Sequence, residues 1–410
     1  MKNLILLCFL LVNGVLCAQK DVSLYNYQQH KINSKVLKEQ VLVNISLPKD
    51  YKLYSKEKVY PVIVVLEPEF FSQIVSTTSH LSTLSGIPEC IVISFPNRFS
   101  KSYGPQLYTN GSKFWPIEWK QMPFDGDPNE FNTFFKNELF PYLASNLRVA
   151  PYNIILGTSS TTPQVFHTFL NEPKLFQGYI TIAAGDFLSM GYSSNSNLIS
   201  AIENSIKKNP RTLNLYVASA DSDIQNTPQI GMNLNQLQNK VTPYLSNSIK
   251  VSSEIISNET HYGIVLPAYI NAMKMIFPLK KWDVDYRVFS IPNENTLMNI
   301  NQYYEELSKE YGYKILPTIS RWNSGNSLER VGEKLIRKKQ YNQAIEIFKH
   351  IIQYQPKSHK AFFNLAKTHK SFSDHNKAEL AIEQAIMLLD EGNMMYLKKY
   401  QNILKELQKN

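Results

Sequence analysis

A serine with the surroundings of a nucleophile lies where an apolar run passes into the start of a helix. Residues 154–163 read IILGTSSTTP, with Gly157 two positions before Ser159. This is the strand–turn–helix setting of the G-x-S-x-G elbow, in which a tight turn exposes the serine hydroxyl. Thr161 occupies the place of the second glycine, so the turn must accommodate a β-branched side chain. Because serine and threonine also cap helices, a plain helix N-cap is an equally good interpretation of this motif.

A candidate general base follows much later in the chain. His261 comes after the strand-like run Ile249–Ile256 and before the amphipathic segment Val265–Ile276. A histidine at such a strand end can accept the proton of a serine hydroxyl. A lone loop histidine is more often structural, but its order and its position after the elbow serine favour the catalytic interpretation.

Two aspartates between the serine and the histidine could supply the third group. The strand-like run Leu213–Ala218 leads into Asp221 and Asp223. A carboxylate there would orient the imidazole and stabilise its protonated form. The order Ser, Asp, His is the one used by enzymes with a G-x-S-x-G elbow. We favour Asp223 slightly, with Asp221 as the alternative, because a turn or cap before Pro228 would use the other one.

The elements that must position these residues alternate between two patterns. Short β-branched runs that are apolar on both faces are typical of buried parallel strands. They alternate with helical patterns at Phe131–Leu147 and Val165–Leu170. Such alternation predicts the α/β fold class, with a doubly wound, mostly parallel sheet. The predicted strands are Val41–Leu47, Tyr60–Leu66, Cys90–Phe95, Asn153–Leu156, Tyr179–Ala183, Leu213–Ala218 and Ile249–Ile256.

A long aromatic segment interrupts this alternation. Residues Phe99–Asp127 hold Trp115, Trp119 and several other aromatic side chains among Gly, Pro and Asn, without periodicity. A loop of this kind can form a substrate wall above a sheet, or it can pack on itself. Both interpretations stay open.

From Gly325 onward the pattern changes to amphipathic helices with a 34-residue period, which predicts tetratricopeptide-like repeats. Small residues stand where paired helices must approach closely, at Gly332, Ala344, Ala366 and Ala378. Two repeats cannot bury a full core, so we expect them to lean on the preceding domain. They would either bind a protein partner or act as a stabilising cap.

The segment Val41–Phe277 resembles the esterase family that contains S-formylglutathione hydrolase (esterase D) and the enterobactin esterases, some of which carry a C-terminal tetratricopeptide tail. The resemblance implies an α/β-hydrolase fold and ester hydrolysis through Ser159 and His261, with Asp223 or Asp221. It also implies an oxyanion hole from the backbone N–H groups of Ser160 and of a residue after Leu66. The matching stretches are Pro61–Phe71, Ile87–Asn97, Phe134–Leu147, Pro151–Ser159, Glu172–Phe176 and Glu259–Gly263 with Pro267.

The sequence departs from that family at the elbow and at the second oxyanion donor. Thr158, Thr161 and Thr162 replace a histidine and two glycines of the family pattern. Pro68 has no N–H, so Glu69 would have to supply the donor. These changes motivate an alternative function, in which a catalytically degenerate esterase fold serves as a binding or scaffold module through its helical repeats.

The first 18 residues predict a secretory signal peptide. A lysine precedes an apolar run, and small residues follow up to Ala18. We therefore expect an exported protein, periplasmic or secreted. A lipid anchor at Cys17 is the weaker alternative, and the run is short for a permanent membrane span. The remaining Cys90 has no disulfide partner and is expected to be a buried strand residue.

The expected partner is a small-molecule ester. The net charge is +9, but the basic residues do not form the patterned stripe that nucleic-acid binding requires. Metal-ligand spacing is absent from the sequence, and no cofactor is expected. The predicted domains are a signal peptide (1–18), an α/β-hydrolase domain (19–290), a helical connector (291–324) and helical repeats (325–410).

Overall fold

The computed structural model describes a defined set of residue ranges. The predicted signal peptide lies outside them, as does the aromatic segment apart from Asp127. The described ranges are 27–96, 127–189, 191–193, 196–208, 212–292, 294–322, 324–390 and 392–409.

An eight-stranded sheet forms the centre of the first domain. Its strand order is β1-β2-β4-β3-β5-β6-β9-β10, and a separate two-stranded ribbon pairs β7 with β8. Strands β1 and β2 pair antiparallel, as do β2 and β4, and the other pairs of the large sheet are parallel. The predicted α/β fold class is therefore confirmed. The strands are β1 Tyr27–Ser34, β2 Glu39–Ser46, β3 Tyr60–Val65, β4 Ile91–Ser94, β5 Val149–Thr158, β6 Gly178–Ile182, β7 Gly191–Ser193, β8 Ser196–Asn197, β9 Leu213–Ala220 and β10 Ile249–Ile256.

Helices cover both faces of this sheet. All six residues of β3 are buried: Ile63 and Val65 join one apolar cluster, and Val62 and Val64 join the other. This period of two explains why the run is apolar throughout. The helices of the domain are α1 Phe71–Ser85, α2 Pro128–Phe134, α3 Phe140–Asn146, α4 Thr162–Asn171, α5 Leu198–Lys208, α6 Asp221–Asn226, α7 Gln229–Val241, α8 Val265–Ile276 and α9 Leu279–Trp282.

The predicted helix Phe131–Leu147 is present but is not uniform. A π-helical segment, Phe135–Leu139, separates α2 from α3. Pro141 has no N–H to donate to the carbonyl four residues earlier, which disturbs the regular α-helical ladder here.

Several elements were not predicted from the sequence, among them β1 and α1. Strand β1 is largely polar, so it lacks the apolar run that marks a buried strand. Helix α1 is rich in serine and threonine, which have low intrinsic helix propensity. Tertiary packing of its buried side chains, among them Ile74 and Leu81, supplies the stability that propensity does not.

The C-terminal region is helical. A connector helix (α10) occupies most of the predicted segment Asn295–Lys314, and five further helices follow. At Gly332, an added Cβ would lie 2.5 Å from the Phe348 ring, and the predicted small residues are buried. The assignment of these helices as tetratricopeptide repeats stays a prediction. The helices are α10 Thr296–Tyr311, α11 Leu328–Arg337, α12 Tyr341–Tyr354, α13 His359–Ser371, α14 His375–Met387 and α15 Met394–Leu407.

These helices pack against the sheet domain. One apolar cluster runs from the sheet through α8 and the connector into the C-terminal helices. The backbone N–H of Ser55 donates to the Tyr354 carbonyl at 2.7 Å, and the Tyr311 hydroxyl donates to the Ile276 carbonyl at 2.8 Å. Within the described residues, no helix has the length and apolar character needed to cross a membrane.

Candidate active site

Ser159 lies in a strained turn between β5 and α4. Strand β5 ends at Thr158, a 3₁₀ turn spans Ser159–Thr161, and α4 begins at Thr162. The φ angle of Ser159 is 49°, a left-handed conformation that non-glycine residues rarely adopt and that is concentrated at functional sites. The turn therefore has the backbone geometry expected of a nucleophile elbow.

The hydroxyls of Thr161 and Thr162 hold this turn together. The hydroxyl of Thr161 accepts from the Thr158 N–H at 2.8 Å and lies 3.1 Å from the Thr158 carbonyl, to which it donates. The hydroxyl of Thr162 donates to the Ser159 carbonyl at 2.7 Å. The first bond pairs an N–H group at the start of the 3₁₀ turn, where helical backbone N–H groups lack partners, and the other two tie the hydroxyls to the carbonyls of the turn. The capping and elbow interpretations of the motif thus describe the same turn.

The tight approach of strand and helix occurs at Gly157 rather than at Thr161. A Cβ on Gly157 would lie 2.8 Å from Cγ2 of Val165 and 2.9 Å from the Thr161 carbonyl oxygen. A side chain here would force the helix away from the strand. The elbow therefore keeps the glycine that its geometry requires and tolerates the β-branched residue.

The imidazole of His261 lies between Ser159 and Asp223. Its Nε2 is 3.0 Å from the Ser159 hydroxyl oxygen, and its Nδ1 is 3.1 Å from each carboxylate oxygen of Asp223. The hydrogen bond that His261 donates to Asp223 raises the pKa of His261 above its ordinary value, against the opposing effect of burial. The histidine side chain is 37% exposed, so solvent reaches the site.

Asp221 has a different position from Asp223. Its carboxylate accepts the backbone N–H groups of Asn258 at 2.8 Å and Glu259 at 3.1 Å. These bonds lower the pKa of Asp221, because they favour the charged form. Asp221 thus secures the loop that carries His261, and Asp223 faces the imidazole.

The two predicted oxyanion donors follow neighbouring strands. Ser160 is the second residue of the elbow turn, and Glu69 lies in the 3₁₀ turn Pro68–Phe70 after β3, which pairs with β5. The N–H of Leu66 donates to the Leu156 carbonyl at 2.9 Å and is used in the sheet. The pairing of Ser160 with Glu69 as an oxyanion hole stays a prediction.

Asp186 is a charged neighbour of the site that was not predicted from the sequence. It follows β6, which pairs with both β5 and β9, and it interacts electrostatically with His261 and Asp223. Burial raises the pKa of Asp186 to about 6. The available signal was its position directly after the predicted strand Tyr179–Ala183, because the ends of parallel strands meet at one edge of the sheet.

Aromatic side chains flank the histidine. The rings of Tyr262 and His261 meet edge to face at 4.7 Å, and the rings of Tyr262 and Phe70 lie 6.1 Å apart. Tyr262 is 56% exposed and presents an aromatic surface beside the imidazole of His261. Cys90 is buried immediately before β4, and burial raises the pKa of its thiol. No metal-binding cluster occurs among the residues that the structure describes.

Comparison with known proteins gives a family match and a number of solved structures with a similar fold. Residues 34–188 match the model of the family described as putative esterase. An IroE-like serine hydrolase from Shewanella oneidensis is 21% identical, with a TM-score of 0.57 over 78% of this chain and 98% of its own. An uncharacterised protein from Capnocytophaga ochracea is 15% identical, with a TM-score of 0.52 over 94% of this chain and 100% of its own.

The extent of these matches differs. No curated protein matches the chain. The family match ends just beyond the turn that carries Asp186, whereas the Capnocytophaga structure extends over the C-terminal helices as well. The chain is thus similar to the esterase family over residues 34–188 and has the fold of an α/β hydrolase followed by a helical region.

Proposed function

We propose that this protein is a serine esterase that hydrolyses a carboxylic ester through Ser159, His261 and Asp223. The observation that carries the proposal is the continuous contact of the three side chains. The serine oxygen is 3.0 Å from Nε2, and the carboxylate is 3.1 Å from Nδ1, although 102 residues separate Ser159 from His261. The esterase-family match over residues 34–188 supports the same class of reaction.

The geometry supports an acyl-enzyme mechanism. As the Ser159 oxygen attacks the ester carbonyl carbon, its proton moves to Nε2 of His261. The tetrahedral oxyanion is stabilised by the N–H groups of Ser160 and Glu69. Collapse breaks the bond to the alcohol oxygen, which takes the proton from Nε2. Water then attacks the acyl-serine while His261 accepts its proton. Collapse breaks the bond between the Ser159 oxygen and the acyl carbon, returns that proton from Nε2 to the Ser159 oxygen and releases the acid.

Asp223 and Asp221 support His261 in different ways in this mechanism. Asp223 keeps the proton on Nδ1, which leaves Nε2 free to accept, and it stabilises the imidazolium that forms. The raised pKa of His261 reflects this stabilisation. Asp221 fixes the loop backbone at Asn258 and Glu259, which holds the imidazole in place between turnovers.

We further propose that the protein is exported after cleavage of residues 1–18, and that residues 19–290 form the esterase domain. Residues 291–324 connect it to the helical repeats of 325–410.

The alternative function is a binding module in which these repeats hold a protein partner. Exposed apolar side chains in the last two helices, α14 and α15, favour such binding: Leu380, Met387, Met394 and Met395.

Labelling with a fluorophosphonate probe tests the proposed function. The full chain should become covalently labelled at Ser159, and Ser159→Ala should lose both labelling and hydrolysis of short p-nitrophenyl esters. Ser79→Ala is the matched control, because Ser79 lies on the exposed side of helix α1, and it should label like the parent. A wild-type chain that neither labels nor hydrolyses esters would favour the binding module.

A further inference from the structure

Asp186 occupies a central place at the edge of the sheet that carries the candidate active site. Strand β6 pairs with β5, which leads to Ser159, and with β9, which leads to Asp223. The turn after β6 therefore emerges between these two residues. The electrostatic interaction of Asp186 with both His261 and Asp223 is consistent with this place.

The turn that carries Asp186 is held in one conformation. Ala183 has a φ angle of 55°, which is strained for an alanine. The Gly185 N–H donates to the Ser219 hydroxyl at 3.0 Å, and the Asn233 side-chain amide donates to the Gly185 carbonyl at 2.9 Å. A Cβ on Gly185 would lie 2.7 Å from Cγ2 of Ile230. This combination of strain and close packing fixes the direction in which the next residue points.

The carboxylate of Asp186 lacks a cationic partner of its own. One oxygen accepts the Phe187 N–H at 2.9 Å, but no lysine or arginine among the described residues pairs with it. The nearby imidazole is already bonded to Asp223 through Nδ1. Placing a partly buried carboxylate beside another one is costly, and perturbed charges of this kind are concentrated at functional sites.

We propose that Asp186 is a substrate-binding residue that selects esters carrying a cationic group close to the scissile bond. This inference rests on the proposed esterase function. The cation of the substrate supplies the counter-charge that the described residues do not. It thereby offsets the repulsion between Asp186 and Asp223 in the bound state.

Two pairs of isosteric esters test the proposal, one for each side of the scissile bond. Acetylcholine against 3,3-dimethylbutyl acetate places the charge on the alcohol, and p-nitrophenyl glycinate against p-nitrophenyl propionate places it on the acyl group. The measured quantity is the ratio of kcat/KM within each pair, with the Ser159→Ala rate subtracted as background. This ratio does not depend on the amount of folded enzyme.

The wild-type protein should prefer the cationic ester in at least one pair by about tenfold or more, the size of a charge-assisted contact. Asp186→Asn should reduce that preference to about threefold or less. Glu172→Gln makes the same carboxylate-to-amide change just beyond the far end of α4 and should keep the wild-type ratio. Equal ratios in wild type and Asp186→Asn, with neutral esters still hydrolysed, would overturn the inference alone. No hydrolysis of any ester would instead count against the proposed function.

Discussion

The elbow and the C-terminal helices each bring two elements into close contact at a glycine, but they hold that contact differently. At Gly157 the neighbouring turn is fixed by the hydroxyls of Thr161 and Thr162 around a strained Ser159. At Gly332 the contact is with the ring of Phe348, inside an apolar cluster. At the elbow, polar contacts set the direction of the Ser159 side chain. In the C-terminal helices, apolar contacts stabilise the packing of one helix on the next. Substitutions at the elbow should therefore change rate, and substitutions in the helices should change stability.

The largest expected effect concerns the two aspartates after β9. Asp223→Asn should lower kcat by about 10⁴-fold, because an amide no longer holds the Nδ1 proton in place. Asp221→Asn should lower kcat by only about tenfold. It weakens the contacts of Asp221 with the loop backbone, and the loss of about one hydrogen bond corresponds to a change of that size. Steady-state kinetics on one p-nitrophenyl ester compare the two. Equal losses in both variants would contradict the assignment of Asp223 as the residue that orients His261.

The contribution of apolar packing in the C-terminal helices is tested at Gly332. Gly332→Val should lower the free energy of unfolding by about 1–3 kcal/mol, because overpacking forces the Phe348 ring to move. Gly392 has open space around it, so Gly392→Val should stay within about 0.5 kcal/mol of the parent. Urea unfolding measures both variants. Since neither residue lies near the active site, a matching loss of kcat in Gly332→Val would show that the two regions are coupled.

The contribution of the polar contacts at the elbow is tested at Thr161. Thr161→Val keeps the shape but removes both contacts of the hydroxyl with Thr158, and should lower kcat about tenfold, equivalent to about one hydrogen bond. Thr83→Val removes a similar hydroxyl contact, 2.8 Å from the Ser79 carbonyl in α1, and should leave kcat unchanged. An unchanged kcat in Thr161→Val would mean that backbone packing alone fixes the elbow.

The smallest expected effect is a shift in pH dependence. His261 must be neutral to accept a proton, and its pKa is raised above 6.5, so kcat/KM should fall as the pH decreases through that raised value. Asp186 adds negative charge near the imidazole and itself has a pKa of about 6. Asp186→Asn should therefore move the acidic limb to lower pH by less than about one unit. A shift to higher pH would contradict the proximity of the two groups.

Several parts of this protein could be predicted from the sequence alone. The β-branched runs predicted seven strands of the large sheet. Central strands such as β3 are apolar throughout because both of their faces are buried, whereas the edge strand β10 is only partly buried, which corrects its prediction as a buried strand. The segments Ile249–Ile256 and Val265–Ile276 coincide with β10 and α8. The position of His261 between them also follows from local pattern, and so does the serine two residues after Gly157. Each of these features depends on neighbours within about ten residues.

Only the tertiary structure decided how the charged groups are distributed around the histidine. Asp221 and Asp223 stand two residues apart on one short helix, and the sequence offers both the same surroundings. Their different contacts depend on the backbone of residues 258 and 259, which a neighbouring strand brings into place. The nearness of Asp186 likewise depends on β6 lying between β5 and β9. Strand order is a property of packed layers, so local sequence patterns do not encode it.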